Sequence, residues 1–343
     1  MKKLLNTLYV TTPSFFIGIS GESIILKEKD KVMYRIPLHN LESIIIFSYS
    51  GFSSKLLRKC MEYGISISVL SSNGQIYGRF QAPSKGNILL RKKQAEIAMS
   101  EEKSLEIAKN MILAKVTNSR NQLMRFRNQY KIRIDPVPLN HSIDLLKKEK
   151  NSILATTSKD ELRGIEGRAQ ADYFSVFDEL ILNDSVFFNF NKRSRRPPCN
   201  AVNALLSYAY SLLTCECASA LESVGLDAYM GFNHVDRPGR ASLALDLVEE
   251  FRSVIADRIV LKMINLGQFK ENDFILQGSG AVLLNDNSRK KFLSIWQQEK
   301  QNKLSHPFLN EKIEWGLLPY VQALLLNRHL RGDLSQYPPF FWR

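Results

Sequence analysis

Between Gly231 and Arg252 the chain reads GFNHVDRPGRASLALDLVEEFR, in which one imidazole, His234, precedes three carboxylates, Asp246, Glu249 and Glu250. Imidazole nitrogen and carboxylate oxygen together suit Mn2+ or Mg2+ with coordination positions left open, whereas structural zinc sites favour thiolates in a closed shell. Asp246 and Glu249 are three apart, so on a helix they lie on one face, and a cation could be held between them and His234. A plainer reading competes: carboxylates near a helix start complement its dipole or line a solvated face. The helix itself follows from Leu243, Leu247, Phe251 and Val254, whose spacing predicts a buried stripe, with Ser242 as N-cap.

A cation bound here needs a ligand from elsewhere, and the best donor is the segment SKDELRGIEGRAQADYFSVFDELIL, which starts at Ser158. Ser158 and Glu161 have capping-box spacing, and Leu162, Ile165, Ala169 and Tyr173 form an apolar face. Glu166 falls about 100° round from Ile165, at the edge of that face. Gly164 and Gly167 flank it. Each costs about 1 kcal/mol relative to alanine inside a helix, which predicts close approach by another helix or by a phosphate backbone. Taken alone, Glu166 reads more readily as a surface residue than as a ligand.

The elements that must position these groups change character once along the chain. Up to residue 82, short β-branched and aromatic runs such as SFFIGIS, SIILKEK and LESIIIF alternate with turn residues, with one helical insert at SSKLLRKCMEYG. This predicts an N-terminal β domain over 1–82, sandwich-like, with APSKGN supplying a linker at 83–87. Over 88–343 helical patterns dominate, roughly 88–130, 141–155, 159–182, 200–223, 242–265, 288–302 and 311–330. DFILQGSGAVLL is the exception, a β-hairpin whose G-S-G leads into a strand and so lacks the setting of a phosphate loop. The fold class is α+β, a small β domain followed by a larger mainly helical one.

Lys and Arg exceed Asp and Glu by 47 to 34, a net charge of +13 that favours polyanions and makes nucleic acid the leading partner. No run is apolar enough to cross a bilayer, and Asn6, Thr11 and Pro13 interrupt the apolar N-terminus that would otherwise imitate a secretory signal. Cys60, Cys199, Cys215 and Cys217 are too few and irregular for a disulfide framework, which fits a reducing cytoplasm; Cys215 and Cys217, two apart on a helix, point apart and read as core. Basic residues crowd KVTNSRNQLMRFRNQYKIR, with Arg120 and Arg127, and NKRSRRPP, with Lys192, Arg193, Arg195 and Arg196. Both suit phosphate contacts that ignore sequence, and both could be solvated faces. Tyr173 and Phe174 could wedge at DNA ends, or pack in the core.

GIEGRAQADYF followed by GFNHVDRPGRASLALDLVEEFR, with RRPPCNAVNALLSYAYSLL between them, resembles the CRISPR-associated integrase of spacer acquisition, the Cas-one family. The resemblance spans essentially the whole chain, and the length and the YPPFFWR tail are most like the type I-C form. The family usually carries Asp-Pro where Cys199 and Asn200 stand here.

The resemblance implies that Glu166, His234 and Glu249 are metal ligands for Mg2+ or Mn2+, with Asp246 a further catalytic group, either a secondary ligand or one that supports the ligands. It implies a metal-dependent DNA integrase and endonuclease, inserting short fragments into a repeat array by 3′-OH attack on a phosphodiester. His234 would bind as neutral imidazole, so acid would weaken the site. Implied partners are double-stranded DNA, a second copy of the chain paired through the β domain, and the small ferredoxin-like Cas-two adaptation protein. Two alternatives keep the same features: a structure-selective nuclease acting on branched DNA in repair, and a non-catalytic DNA-binding scaffold.

Overall fold

The structure, a computed structural model, describes residues 6–47, 50–71, 74–80, 88–235 and 237–342; the linker expected at 83–87 lies outside them. The chain divides into two compact units, Met1–Lys85 with Leu284–Asn302, and Gly86–Leu283 with Lys303–Arg343.

In the first unit, β1 (Asn6–Val10), β2 (Phe15–Ser20), β3 (Ser23–Glu28), β4 (Lys31–Pro37), β5 (Leu41–Phe47), α1 (Ser54–Tyr63), β6 (Ser66–Leu70) and β7 (Ile76–Phe80) form two sheets. One is the antiparallel meander β2-β3-β4, and the other has the order β1-β5-β6-β7. β1 and β6 both run parallel to β5, so the second sheet is mixed, and α1 is the crossover that parallel pairing requires. Ile17, Ile24, Ile44, Ile46, Leu56 and Ile67, drawn from both sheets and α1, share one core.

The second unit is helical: α2 (Ile88–Met99), α3 (Glu101–Gln129), α4 (Pro136–Ala155), α5 (Lys159–Ser175), α6 (Ala201–Ser223), α7 (Ser242–Glu249) and α8 (Arg258–Asn265), with the hairpin β8 (Phe274–Leu276) and β9 (Val282–Leu284) where the sequence predicts it. The helix read at 288–302 is α9 (Asp286–Glu299), and it belongs to the first unit rather than to the helical one. The pattern at 311–330 resolves into β11 (Lys312–Glu314), paired with β10 (Lys303–Ser305), followed by α10 (Leu318–Leu330). The architecture is mixed α+β, as the sequence predicts.

α6 is long and apolar enough to cross a membrane by length and composition, contrary to expectation, but two-thirds of its apolar window is buried, as in a core helix. Cys215 and Cys217 sit there as packing residues. Asn200 takes over the start of α6, accepting the N–H of Asn203 at 2.8 Å, so the helix keeps a capping side chain. The helix expected over 242–265 is interrupted: α7 ends at Glu249, and Glu250 and Phe251 form a turn. Before α8 the chain then relaxes into a π-helical turn, Arg252–Asp257, a distortion that often accompanies functional positions.

Candidate active site

α7 begins where its apolar stripe says it should, with Leu243, Leu247, Phe251 and Val254 all buried. Ser242 is its first residue, not its cap: the N–H groups of Leu243 and Ala244 are taken by the carbonyl of Ala228, at 3.0 and 3.1 Å. A backbone carbonyl from the preceding loop thus satisfies donors that a side-chain cap would otherwise serve. That loop is pinned in turn by the buried amide of Gln94, which donates to the carbonyls of Asp227 and Met230 and accepts the N–H of Asp227, each at 2.9 Å.

The same loop, Gly231 to His234, wraps round the carboxylate of Asp246. Phe232 N–H reaches Oδ2 at 2.7 Å, Asn233 N–H reaches it at 3.0 Å, and His234 N–H reaches Oδ1 at 3.1 Å. Oδ1 also lies 2.5 Å from His234 Nδ1. With its oxygens occupied in this way, Asp246 is a positioning residue: it holds the loop and fixes the imidazole with Nδ1 protonated, leaving the Nε2 lone pair without a partner among the described residues. Gly231 is what lets the loop come so near. A Cβ there would stand 2.8 Å from Asp246 Oδ2 and 2.9 Å from the backbone of Ser242.

On α5, Ser158 caps as predicted, accepting Glu161 N–H at 3.2 Å, and Leu162, Ile165, Ala169 and Tyr173 are the buried face. Glu166 sits half-buried at its edge, as its angular position requires. The expected close approach of a second helix at Gly164 and Gly167 does not occur. Among the described residues a Cβ at Gly167 would meet nothing within 4 Å, and one at Gly164 only the end of Arg168. The space at Gly167, next to Glu166 on the helix, is therefore open, whereas Gly164 faces nearly the other way.

Glu166 and Glu249 meet at a residue that sequence reasoning missed. Lys115, on α3, places its ammonium 2.6 Å from Glu166 Oε1 and 2.8 Å from Glu249 Oε2, with Gln170 Oε1 at 3.2 Å. Glu249 Oε1 pairs with Arg252 at 3.1 Å, and Asn233 donates its amide to Glu166 Oε2 at 3.1 Å. Burial pushes the Glu249 carboxyl up, but Arg252, Lys115 and His234 outweigh it and hold the group down to about 2. Glu249 is thus a buried carboxylate that stays ionised, which rules out the solvated-face reading.

Glu250 answers a different need. Its carboxylate, buried in the opposite direction, accepts from Tyr337 Oη, from Phe340 N–H at 2.8 Å and from Gln322 at 3.0 Å, so it anchors the C-terminal segment.

Does this set suit a divalent cation? Among the described residues no three His, Cys, Asp or Glu side chains converge closely enough to hold one by themselves. Two carboxylates nevertheless meet at one cationic nitrogen, and an imidazole on the neighbouring loop has its Nε2 uncommitted. The donor types are those hard divalent ions take, and a positive centre already stands between the two carboxylates, so the residues fit such an ion.

The basic residues divide. Lys192, Arg195 and Arg196 are exposed. Arg195 has its pKa lowered, by desolvation first and then by the charge of Arg252, while Glu249 and Glu166 pull it the other way; it therefore borders the carboxylate site. Arg193 does not stand free: it donates to Asn203 Oδ1 at 2.8 Å and Ser207 Oγ at 3.0 Å, and lies over the Tyr210 ring, tying its loop to α6. Arg120 turns back on the carbonyl of Ile143, and Arg127 on Asn140. Tyr173 and Phe174 pack with Phe177 and one another, so core packing accounts for them.

The family described as CRISPR associated protein Cas1 matches residues 8–298. The CRISPR-associated endonuclease Cas1 1 of Chlorobaculum tepidum is 43% identical over 343 residues, all of both chains. The CRISPR-associated endonuclease Cas1 2 of Rhodospirillum rubrum is 44% identical over 347 residues, again all of both. Among solved structures, a CAS1 protein from Thermotoga maritima, 26% identical, superposes with a TM-score of 0.80 over 95% of this chain and 97% of its own. Full-length identity at this level, with the family match across both units, makes this chain a member of the Cas1 family.

Proposed function

We propose that this protein is a metal-dependent DNA integrase and endonuclease that inserts short DNA fragments into a CRISPR repeat array. The observation that carries the reading is the meeting of Glu166 and Glu249, from two separate helices, at one cationic position, with open space at the neighbouring Gly167. Family membership and the name endonuclease carried by relatives alike along their whole length support it.

Glu166, His234 and Glu249 would hold Mg2+ or Mn2+, which when bound neutralises a phosphate oxygen and favours attack by a 3′-hydroxyl, or by water in the nuclease reaction. Asp246 keeps the His234 lone pair directed away from the loop. Gly167, adjacent to Glu166 on α5, leaves room for a sugar-phosphate backbone to come alongside. Lys192, Arg195 and Arg196 offer phosphate contacts without reading sequence, which suits fragments of any sequence. The protein supplies no covalent nucleophile in this scheme. Pairing of two copies through the first unit, and assembly with the small Cas-two protein, belong to the same proposal, as does the type I-C setting.

The test is strand transfer: a supercoiled plasmid bearing the repeat is incubated with a 3′-OH duplex and Mg2+, with and without the small partner. Joined products are expected. Nicking or cleavage alone would favour a nuclease of branched DNA, and retention of DNA without products a scaffold.

A further inference from the structure

Lys115 is a buried cation. Its helix buries the neighbours Ala114 and Val116, and its own side chain is only 7% exposed, so the charge is stable there only with close partners. The partners are the two carboxylates proposed to bind a divalent ion, at 2.6 and 2.8 Å. A metal ion cannot take oxygens from both while an ammonium stands that close to each, because like charges at such separations repel strongly in a partly desolvated site. Left bare, the two carboxylates would repel each other for the same reason.

We propose that Lys115 is the resident counter-ion of the Glu166–Glu249 pair and leaves it when a divalent cation binds, so that metal loading is an exchange of one cation for another. Gln170 Oε1, already 3.2 Å from the ammonium, gives it a neutral acceptor to stay with after the exchange. Lys115 is in this scheme a positioning residue: it keeps the carboxylates together before metal arrives, and it weakens metal binding by competing for the same oxygens. The inference rests on the reading of Glu166 and Glu249 as cation ligands.

Calorimetric titration of the metal-free full chain with Mn2+ tests it, using the wild type, Lys115→Met and Glu166→Gln. Lys115→Met should bind Mn2+ about tenfold more tightly or better, tenfold corresponding to about 1.4 kcal/mol. The same variant should melt at a lower temperature without metal and gain more from its addition. Equal or weaker binding by Lys115→Met, with Glu166→Gln weakened, would overturn the exchange and leave the ligand assignment standing. Mn2+ binding indifferent to Glu166→Gln would sink the ligand assignment itself. Should Lys115→Met not fold, the wild type decides through the 15Nζ resonance of Lys115, assigned by its loss in Lys115→Arg. A shift on saturation with Mg2+ is expected, and an unmoved resonance would overturn the proposal.

Discussion

The Nδ1 atom of His234 lies 2.5 Å from Oδ1 of Asp246, and the backbone leading into the ring is bound to the same carboxylate. One side chain therefore sets both where the loop runs and which imidazole nitrogen is free. Asp246→Ala should leave three buried N–H groups without acceptors, at a cost of about 1–3 kcal/mol for each that finds no water. Metal affinity should fall by about 10- to 100-fold, the usual effect of losing a group that orients a metal-binding histidine. Denaturant unfolding and Mn2+ titration measure the two losses, and a variant that loses neither would remove Asp246 from this role.

Gly231 makes a narrower version of the same argument. Alanine there sets a methyl 2.8 Å from Asp246 Oδ2 and against the backbone of Ser242, and neither neighbour is a flexible side-chain end. Gly231→Ala should cost about 1–3 kcal/mol, as overpacking does, and should displace His234. Wild-type stability and activity in this variant would mean that the loop is free to stand off from Asp246.

Removing the proposed ligands should separate chemistry from affinity. Glu166→Gln, His234→Ala and Glu249→Gln should each abolish strand transfer and cleavage, while filter binding to duplex DNA changes little, since exposed lysine and arginine supply that affinity. Full activity in any one of them would take that residue out of the site. Weak DNA binding in all three would mean that the metal, rather than the basic surface, holds the substrate.

Because Arg193 ties its loop to α6, only Lys192, Arg195 and Arg196 should be replaced to test phosphate binding. Removing a side chain that neutralises one phosphate should flatten the slope of log K against log[salt] by about 0.9. The triple alanine variant should therefore show a shallower slope with its melting temperature preserved, and an unchanged slope would place the DNA elsewhere. Adding Arg193→Ala should lower stability, which the other three substitutions should not.

Much of this site was legible because its parts obey local rules. The α5 stripe and its Ser158 cap, the α7 stripe and the β8–β9 hairpin each follow from spacing or turn chemistry within a few residues. Glu166, His234 and Glu249 stood out by residue type and by resemblance. What was not legible depends on distant segments. Ser242 loses its capping role to the carbonyl of Ala228, and α9 joins the first unit, both decided by tertiary placement that no local pattern encodes. Lys115 did leave a signal, a charge flanked by Ala114 and Val116 on a buried stripe, but its partners lie on α5 and α7. Asn233 was hidden by standing next to His234, where it reads as a loop residue.

The last prediction concerns Asp257, at the end of the π-helical turn, whose Oδ1 accepts from Tyr210 Oη at 2.5 Å. Burial pushes its carboxyl up to about 6 from an ordinary value of 3.8, with the hydroxyls of Tyr210 and Tyr173 and the charges of Arg252 and Arg193 opposing only part of the rise. A group whose pKa is higher folded than unfolded contributes stability that is complete below the unfolded value and is lost as pH climbs through the folded one. The loss should therefore develop between about pH 4 and pH 7 and level off above, with an upper size of roughly 3 kcal/mol at about 1.4 kcal/mol per pKa unit. Asp257→Asn keeps an oxygen for Tyr210 and never ionises. Its stability relative to the wild type should rise across that window, and denaturant unfolding at several pH values reads the difference directly. Parallel curves for the two proteins would mean that Asp257 is ionised in the folded state at no cost, and that Arg252 and Arg193 fully compensate its burial.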